Sequence, residues 1–239
     1  MKQILFLTLL LSLFSCKNSE NNSENVVKKL LEEINSTQEK IDKSNLSKEM
    51  SDLISDIPTS HSENWKLSTE KTENGTFIVT ANSKTTNLAG LENEINQKFE
   101  VKEGKIINSQ HFFHPDVFQF EIVNKEFDNF WDIEKMNAYR EVEKNVIISY
   151  KSPTINPFSN SLSGFLKIEN NSKFDIKNLR ILVEHFENDG TQVKTDEEWI
   201  DGILRAGGKQ KLEWYTRDCD NCSEQKFKIL FRNTDEANE

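Results

Sequence analysis

The feature that most constrains this chain is a change in the spacing of its apolar residues at Pro58. Before Pro58, apolar residues recur with the spacing of amphipathic helix faces, first over residues 26–34 and again over residues 46–57. After Pro58, apolar and polar residues alternate in runs separated by turn residues, which predicts β-hairpins over residues 65–81 and 95–107. A helical start followed by antiparallel strands indicates an α+β arrangement.

We expect these elements to form one α+β domain over residues 26–151, which ends with a helix over residues 128–143 and a strand over residues 146–150. Helices followed by four antiparallel strands resemble the cone-shaped folds of the cystatin and nuclear-transport-factor superfamilies, in which a curved sheet wraps around a helix. Because such folds carry both binding and enzymatic functions, this resemblance implies a shape and not an activity.

The second half of the chain has the pattern of an all-β domain. Pro153 and Pro157, with Asn and Ser residues beside them, predict a linker over residues 152–161. Residues 162–233 consist of short strand patterns with turns every 8–12 residues or so, which predicts a β-sandwich, and residues 234–239 form a tail. The expected strands are Ser163–Glu169, Leu179–Glu187, Glu198–Ile203, Lys211–Tyr215 and Lys226–Phe231.

Three stretches of this second half resemble the FxLYD-type immunoglobulin-like domains of prokaryotic envelope proteins. Residues 164–172 resemble the opening strand of these domains and its Asn-containing turn. Residues 183–190 resemble the FxLYD motif that gives the family its name and the turn after it, and residues 204–207 resemble the Leu-x-Pro-Gly turn of the family. The resemblance implies an immunoglobulin-like sandwich that serves adhesion or assembly and carries no catalytic residues. The positions of the name motif are occupied here by Val183, His185, Phe186 and Glu187, and the turn has Ala206 in place of proline.

The first 15 residues have the organisation of a secretory signal peptide. Lys2 precedes an uncharged apolar run over residues 4–14, which is shorter than the roughly 20 apolar residues that cross a bilayer. The sequence Leu13-Phe14-Ser15-Cys16 resembles the bacterial lipobox, which implies that Cys16 carries palmitate-type acyl chains and becomes the first residue of the mature protein. An ordinary secretory signal that ends near a cysteine is the alternative.

Lipidation of Cys16 implies a membrane as the first partner and the bacterial cell envelope as the location. Lys17 stands where an Asp would resemble the inner-membrane retention signal of some bacteria, so the outer membrane is favoured, with the periplasmic or surface face left open. The polar composition of residues 16–25 predicts a flexible spacer between the lipid and the first domain.

The net charge of the chain and the absence of several catalytic and nucleotide-binding motifs disfavour some classes of function. A net charge of −10 opposes binding to nucleic acid. The sequence contains no Gly-x-Gly-x-x-Gly, Gly-x-x-x-x-Gly-Lys or Gly-x-Ser-x-Gly motif, so we expect no enzyme, no catalytic residues and no cofactor. We predict a binding or scaffolding module of the envelope, with envelope proteins or glycans as partners. An undetected ligand-handling or hydrolytic enzyme in the N-terminal domain is the alternative.

Aromatic residues are concentrated between residues 112 and 131. They form either a stacking platform for a glycan or apolar ligand, or the filling of a core, and we favour the core. The nearest approach to a metal cluster is His111 and His114, but residues three apart on a strand point to opposite faces, so we predict no metal site. The possible ligand-stacking residues are Phe112, Phe113, Phe118, Phe120 and Trp131.

Cys219 and Cys222 are the only cysteines besides Cys16. A Cys-x-x-Cys pair can be a redox centre, half of a zinc site or a structural disulfide. This pair lies between two strand patterns instead of at the start of a helix, and the sequence has no second Cys-x-x-Cys and no His-x₃-His to complete a zinc site. Because the envelope favours oxidation, we predict a disulfide that closes a hairpin loop.

Overall fold

The structure is a computed structural model in which the chain is α+β with mostly antiparallel sheets, as the sequence predicted. It divides into two compact units, the first comprising Met1–His114 with Asn129–Met136 and the second Pro115–Asp128 with Asn137–Glu239. Within the described part of the chain, no helix has both the length and the apolar character needed to cross a membrane. The described residues are 20–34, 41–54, 64–86, 92–113, 115, 118–127, 129–151, 153–156, 161–217, 219 and 221–230.

Two helices of the first unit follow the amphipathic pattern of the sequence. Helix α1 covers residues 20–34, and helix α2 covers Lys48–Ile54 after a 3-10 turn at Lys43–Asn45. Ser47 caps α2, because its hydroxyl accepts a hydrogen bond from the Met50 amide at 3.2 Å. Both helices bury their apolar faces, which consist of Val26, Val27, Leu30, Leu31 and Ile34 in α1 and of Met50, Leu53 and Ile54 in α2.

The structure departs from the flexible spacer predicted over residues 16–25, because residues 20–25 belong to α1. Ser23 is buried within this segment. The neighbouring Glu24 carboxylate accepts a hydrogen bond from the Thr69 hydroxyl at 2.9 Å. The N-terminal turns of the helix are therefore held by polar contacts, which a count of apolar residues does not detect.

A four-stranded antiparallel sheet follows the helices, and both predicted hairpins are confirmed. The turn of the second hairpin consists of Glu103 and Gly104, with φ of 52° and 72°, which is the backbone of a tight two-residue turn. Its strands lie side by side in chain order and are β1 (Lys66–Lys71), β2 (Phe77–Thr86), β3 (Glu92–Lys102) and β4 (Lys105–Gln110).

Helix α3 (Asp132–Asn145) begins at a buried carboxylate that is connected to the end of β4. The Asp132 Oδ1 atom accepts a hydrogen bond from the ammonium of Lys135, also buried, at 3.1 Å. One side chain thus fixes both the first turn of α3 and the segment that follows the sheet. The Oδ2 atom accepts three hydrogen bonds, from the Ser109 hydroxyl at 2.7 Å and from the amides of Phe112 and Phe113 at 2.8 and 3.0 Å.

The second unit is built mainly from short antiparallel strands. In chain order they are β5 (Glu121–Ile122), β6 (Val146–Tyr150), β7 (Thr154–Asn156), β8 (Ser161–Asn170), β9 (Ile176–Lys177), β10 (Arg180–Phe186), β11 (Gln192–Trp199), β12 (Ile203–Leu204), β13 (Lys209–Thr216) and β14 (Glu224–Leu230). One sheet has the order β13-β8-β6, with β7 also paired to β8. A second sheet has the order β11-β10-β14, and a small sheet has the order β12-β9-β5.

Two predicted boundaries in this half differ from the structure. The linker predicted over residues 152–161 is interrupted, because β6 before it and β7 within it both pair with β8. Pro153 directly precedes β7, so this proline marks a short strand and not a domain border. The strand expected at Glu198–Ile203 is replaced by β11, which ends at Trp199, and by the separate strand β12.

Aromatic rings from two sheets meet in the core of the second unit. Trp214 of β13 packs edge to face against Phe227 of β14, with ring centroids 5.2 Å apart. The indole also covers Gly164, its cross-strand neighbour in β8. A Cβ atom added at Gly164 would lie 2.7 Å from Trp214 Nε1, so this packing requires a residue without a side chain.

Buried Asn170 holds the Asn-containing turn at the end of β8. Its Nδ2 atom donates to the carbonyl oxygens of Phe174 at 2.8 Å and of Leu204 at 3.1 Å. Its Oδ1 atom accepts from the Ser172 amide at 3.1 Å and from the Ser172 hydroxyl at 2.6 Å. A single amide side chain therefore satisfies hydrogen-bonding groups of three separate residues around this turn.

Candidate functional site

A cavity of about 360 Å³ in the second unit is the candidate functional site. Its walls come from the segment that leads into β5, from α3, from the turn before β10, and from β10 and β11. These elements are far apart in the sequence, so the cavity exists only in the folded unit. The residues that line it include Phe118, Phe120, Glu121, Tyr139, Asn178, Arg180 and Trp199.

Three aromatic rings form the apolar part of the cavity. Phe118 stacks on Tyr139 with ring centroids 4.4 Å apart and an interplanar angle of 19°. Phe120 lies 5.2 Å from the same ring. All three side chains are largely buried and packed on one another, so these rings have little freedom to lose on binding.

A cation–π pair forms another part of the lining. Arg180 and Trp199 are cross-strand partners in β10 and β11. The guanidinium lies 3.9 Å from the centroid of the indole, and 49% of the Trp199 surface remains exposed. Arg180 also approaches the Glu197 carboxylate at 3.7 Å. Stacking and charge together hold the guanidinium plane in a fixed orientation, which suits it to bind planar or hydroxyl-rich groups.

A polar pair lies beside these rings. Asn178, with φ of 61°, donates a hydrogen bond from Nδ2 to Glu121 Oε1 at 2.9 Å. Glu121 begins β5, which pairs with β9 immediately before Asn178. The small sheet therefore positions an amide and a carboxylate next to the aromatic surface.

The cavity combines ring faces with a guanidinium, an amide and a carboxylate, which is the chemistry of a binding site for a hydroxylated ligand. Glycoside hydrolysis generally requires two carboxylates flanking the bond. Among the described lining residues, Glu121 is the one carboxylate.

A second, larger groove of about 660 Å³ lies on the sheet that contains β6, β8 and β13. Phe165 is 46% exposed there, and the Lys211 ammonium lies 3.5 Å from its ring centroid. Like Arg180 and Trp199, this pair places a cation beside an exposed ring, on a different sheet. It lacks the buried rings of the first cavity and provides a matched control for it.

The aromatic residues singled out from the sequence are divided between the two units. Phe112 and Phe113 are buried in the first unit, where Phe112 packs edge to face against Phe99 at 5.7 Å. Trp131 is half-buried in that same unit. Phe118 and Phe120 belong to the second unit and line the cavity. Phe112, Phe113, Phe118 and Phe120 are all buried, in agreement with the core interpretation.

Sequence reasoning missed Tyr139, Arg180 and Trp199 as site residues. Tyr139 has the spacing of a helix face, and Arg180 and Trp199 meet only through the pairing of β10 with β11. Of the two histidines considered as metal ligands, His111 is exposed with φ of 61°, and His114 lies outside the described residues. Cys16, the predicted lipidation site, also lies outside them.

Cys219 and Cys222 lie between β13 and β14 at disulfide-bonding distance, with Cα atoms 5.5 Å apart. Their pairing in the cell stays a prediction. The buried ring of His185 is their neighbour, because one of its nitrogens and the two sulfur atoms all lie within 4.8 Å of one another. Burial lowers the pKa of His185 below its ordinary value of 6.5, although the Asp196 carboxylate acts in the opposite direction.

Comparison with known proteins gives no relative from which a site could be transferred. No family model matches the chain, and neither a curated protein nor a solved structure matches it.

Proposed function

We propose that this chain is a lipid-anchored protein of the bacterial cell envelope that binds a glycan in the cavity of its second unit. The observation that carries the proposal is that one cavity is lined both by the Arg180–Trp199 pair, with Trp199 exposed, and by the stacked rings of Phe118 and Tyr139. The sequence predicted a binding or scaffolding module with envelope proteins or glycans as partners. Of these partners, a glycan fits the chemistry of the cavity best.

Sugars match this chemistry because each ring has an apolar C–H face and a rim of hydroxyl groups. The C–H face packs on an aromatic surface such as the Trp199 indole. The rim exchanges hydrogen bonds with groups such as the Asn178 amide, the Glu121 carboxylate and the Arg180 guanidinium. A volume of about 360 Å³ is at the low end of the roughly 300–1,000 Å³ found for small-molecule sites, which suits a short segment of a glycan.

The proposal also includes the lipid anchor at Cys16 and the fold of each unit. Acylation of Cys16 and outer-membrane location rest on the lipobox resemblance and on Lys17. An immunoglobulin-like sandwich is supported by antiparallel pairing of β8 with β13 in one sheet and of β10 with β14 in another. A cone-like first unit is supported by helices followed by the β1-β2-β3-β4 sheet.

A glycan array tests the proposal, using the mature chain with Cys16→Ser so that it remains soluble. We expect binding to a restricted set of glycans, followed by titration calorimetry with the best one. Trp199→Ala should raise Kd about fivefold or more, because a ring contact contributes about 1 kcal/mol or more. Phe165→Ala, which removes the matched aromatic ring of the second groove, should leave Kd within about twofold.

The results of these binding measurements distinguish the proposed glycan site from its alternatives. Absence of binding to any glycan, or equal loss with Trp199→Ala and Phe165→Ala, contradicts the proposed site. Turnover of a bound glycan would support the alternative of a hydrolytic enzyme.

A further inference from the structure

His185 is held inside the second unit by a network of polar side chains on one of its two ring nitrogens. The ring has 0% exposure, and its Nε2 atom lies 3.1 Å from Asp196 Oδ2. The Thr216 hydroxyl donates to the same carboxylate oxygen. The Lys194 ammonium lies 3.4 Å from Asp196 Oδ1. The Asp196 carboxylate therefore accepts a hydrogen bond from the Nε2–H group, which fixes both the tautomer and the orientation of the ring.

The other ring nitrogen of His185, Nδ1, carries a lone pair that accepts no hydrogen bond from the described residues. Nδ1 is buried and has no hydrogen-bond partner among the described residues. Buried polar atoms are nearly always paired, so each exception calls for an explanation. The potential ligands beside this ring are the sulfur atoms of Cys219 and Cys222.

We propose that Cys219, Cys222 and His185 form a binding site for a thiophilic divalent cation of the zinc class when the two cysteines are reduced. Two cysteines separated by two residues have the ligand spacing of many zinc sites. The ligand that the sequence could not supply is His185, which β10 brings to the Cys-x-x-Cys loop. The site is independent of the glycan cavity and of its proposed function.

The distances agree with this assignment. Zinc–sulfur bonds of about 2.3 Å and a zinc–nitrogen bond of about 2.0 Å at tetrahedral angles place the ligand atoms roughly 3.5–3.8 Å from one another. One ring nitrogen of His185 and the sulfur atoms of Cys219 and Cys222 already lie within 4.8 Å of one another. Small side-chain rotations of the two cysteines are enough to take their sulfurs from bonding distance to coordinating distance.

Asp196 acts as a positioning residue for this site. Histidines that bind metals commonly donate their second ring N–H to a carboxylate, which orients the ring and makes the ligand nitrogen more basic. The contact between His185 Nε2 and Asp196 Oδ2 has this arrangement, with Nδ1 left as the ligand atom.

Metal binding and disulfide formation exclude one another, because both use the same sulfur atoms. A dithiol reductant supplies two electrons and two protons to the Cys219–Cys222 bond, which becomes two thiols while the reductant closes its own disulfide. When the cation binds, both thiols release their protons to solvent, and each sulfur donates a lone pair to the metal. The loop thus alternates between an oxidised, metal-free form and a reduced, metal-bound form.

The test is a Zn²⁺ titration of the full mature chain against a competing chelator dye, after reduction with dithiothreitol and its anaerobic removal. We expect one Zn²⁺ per reduced chain and none for the oxidised chain. His185→Gln keeps an amide donor toward Asp196 but removes the Nδ1 ligand, and it should weaken Zn²⁺ binding at least tenfold. His111→Gln, which alters an exposed histidine, should have no effect. Asp196→Asn should weaken binding less than His185→Gln does.

A second measurement on the wild-type chain keeps the proposal testable if His185→Gln fails to fold. In ¹⁵N NMR spectra of the imidazole rings, Zn²⁺ should shift the Nδ1 resonance of His185 much more than Nε2, and Co²⁺ should give the absorption of thiolate-to-cobalt charge transfer. No Zn²⁺ bound by the reduced chain, unchanged affinity in His185→Gln, or an unshifted Nδ1 resonance in the Zn²⁺-loaded protein overturns the proposal.

Discussion

Replacement of Asp132 by alanine is expected to destabilise the first unit more than any change of an exposed carboxylate. The side chain has 0% exposure and accepts four hydrogen bonds from Ser109, Phe112, Phe113 and Lys135. Its removal leaves the buried Lys135 ammonium without its counter-charge and two backbone amides without their acceptor.

The expected magnitude follows from these partners. Breaking a buried ion pair by removing one member costs about 3–5 kcal/mol. Each unpaired buried amide adds up to about 1–3 kcal/mol, but water entry and local relaxation recover part of it. We therefore expect Asp132→Ala to lower the free energy of unfolding by about 3–5 kcal/mol. Asp132→Asn should lose somewhat less, because the amide oxygen still accepts part of the hydrogen bonds.

Urea denaturation followed by circular dichroism measures this loss from the midpoint and slope of the transition. Glu134→Ala is the matched control: Glu134 is an exposed acidic residue in the same first turn of α3, and alanine is a good helix former. This control should change stability by less than about 0.5 kcal/mol. A loss below about 1 kcal/mol for Asp132→Ala would refute the reasoning, because it would mean that water solvates the site.

Three further expectations concern other parts of the chain. Gly164→Ala should destabilise the second unit by about 1–3 kcal/mol in urea denaturation, because the new Cβ overlaps Trp214; an unchanged midpoint would mean that the indole moves without loss. Burial lowers the pKa of His185 below 6.5, so the unfolded chain binds the proton more tightly, and the free energy of unfolding should be highest above pH 6.5 and fall as the pH drops below it. In thermal melts, the melting temperature of His185→Gln should depend less on pH in this range than that of the wild-type chain. An equal pH dependence in the two proteins would contradict the expectation. Cys16→Ser should release the protein from bacterial membranes and abolish fatty-acid labelling, whereas continued membrane fractionation with labelling would exclude the lipobox.

The predictable part of the fold is the part fixed by local spacing. Alternation and the Glu103-Gly104 turn specify the second hairpin, because a two-residue turn with positive φ fixes the register of the strand pairs beside it. The sequence pattern did not predict the register shift between Glu100 and Val101. The strand β11 was not predicted, because its half-buried face consists of Lys194, Asp196 and Glu198, which carry no apolar signal. Pro153 was misinterpreted because proline occurs at short edge strands as well as in linkers.

The candidate site was less predictable than the fold, for a physical reason. Arg180 and Trp199 are 19 positions apart and meet through cross-strand pairing, and Tyr139 comes from a helix. Likewise, His185 reaches the Cys-x-x-Cys loop only when β10 and the end of β13 are placed in the same unit. Such constellations depend on pairing between distant segments, which spacing within a segment does not encode.

The most direct measurement of glycan binding is a titration of the ¹⁵N-labelled protein, monitored at the indole N–H resonances of its four tryptophans. Trp199 lines the cavity, whereas Trp214 is buried in the core of the same unit and serves as an internal reference. We expect saturable shifts centred on the Trp199 resonance and little change at Trp214. Saturable binding that leaves the Trp199 resonance unmoved would contradict the assignment of the cavity as the binding site.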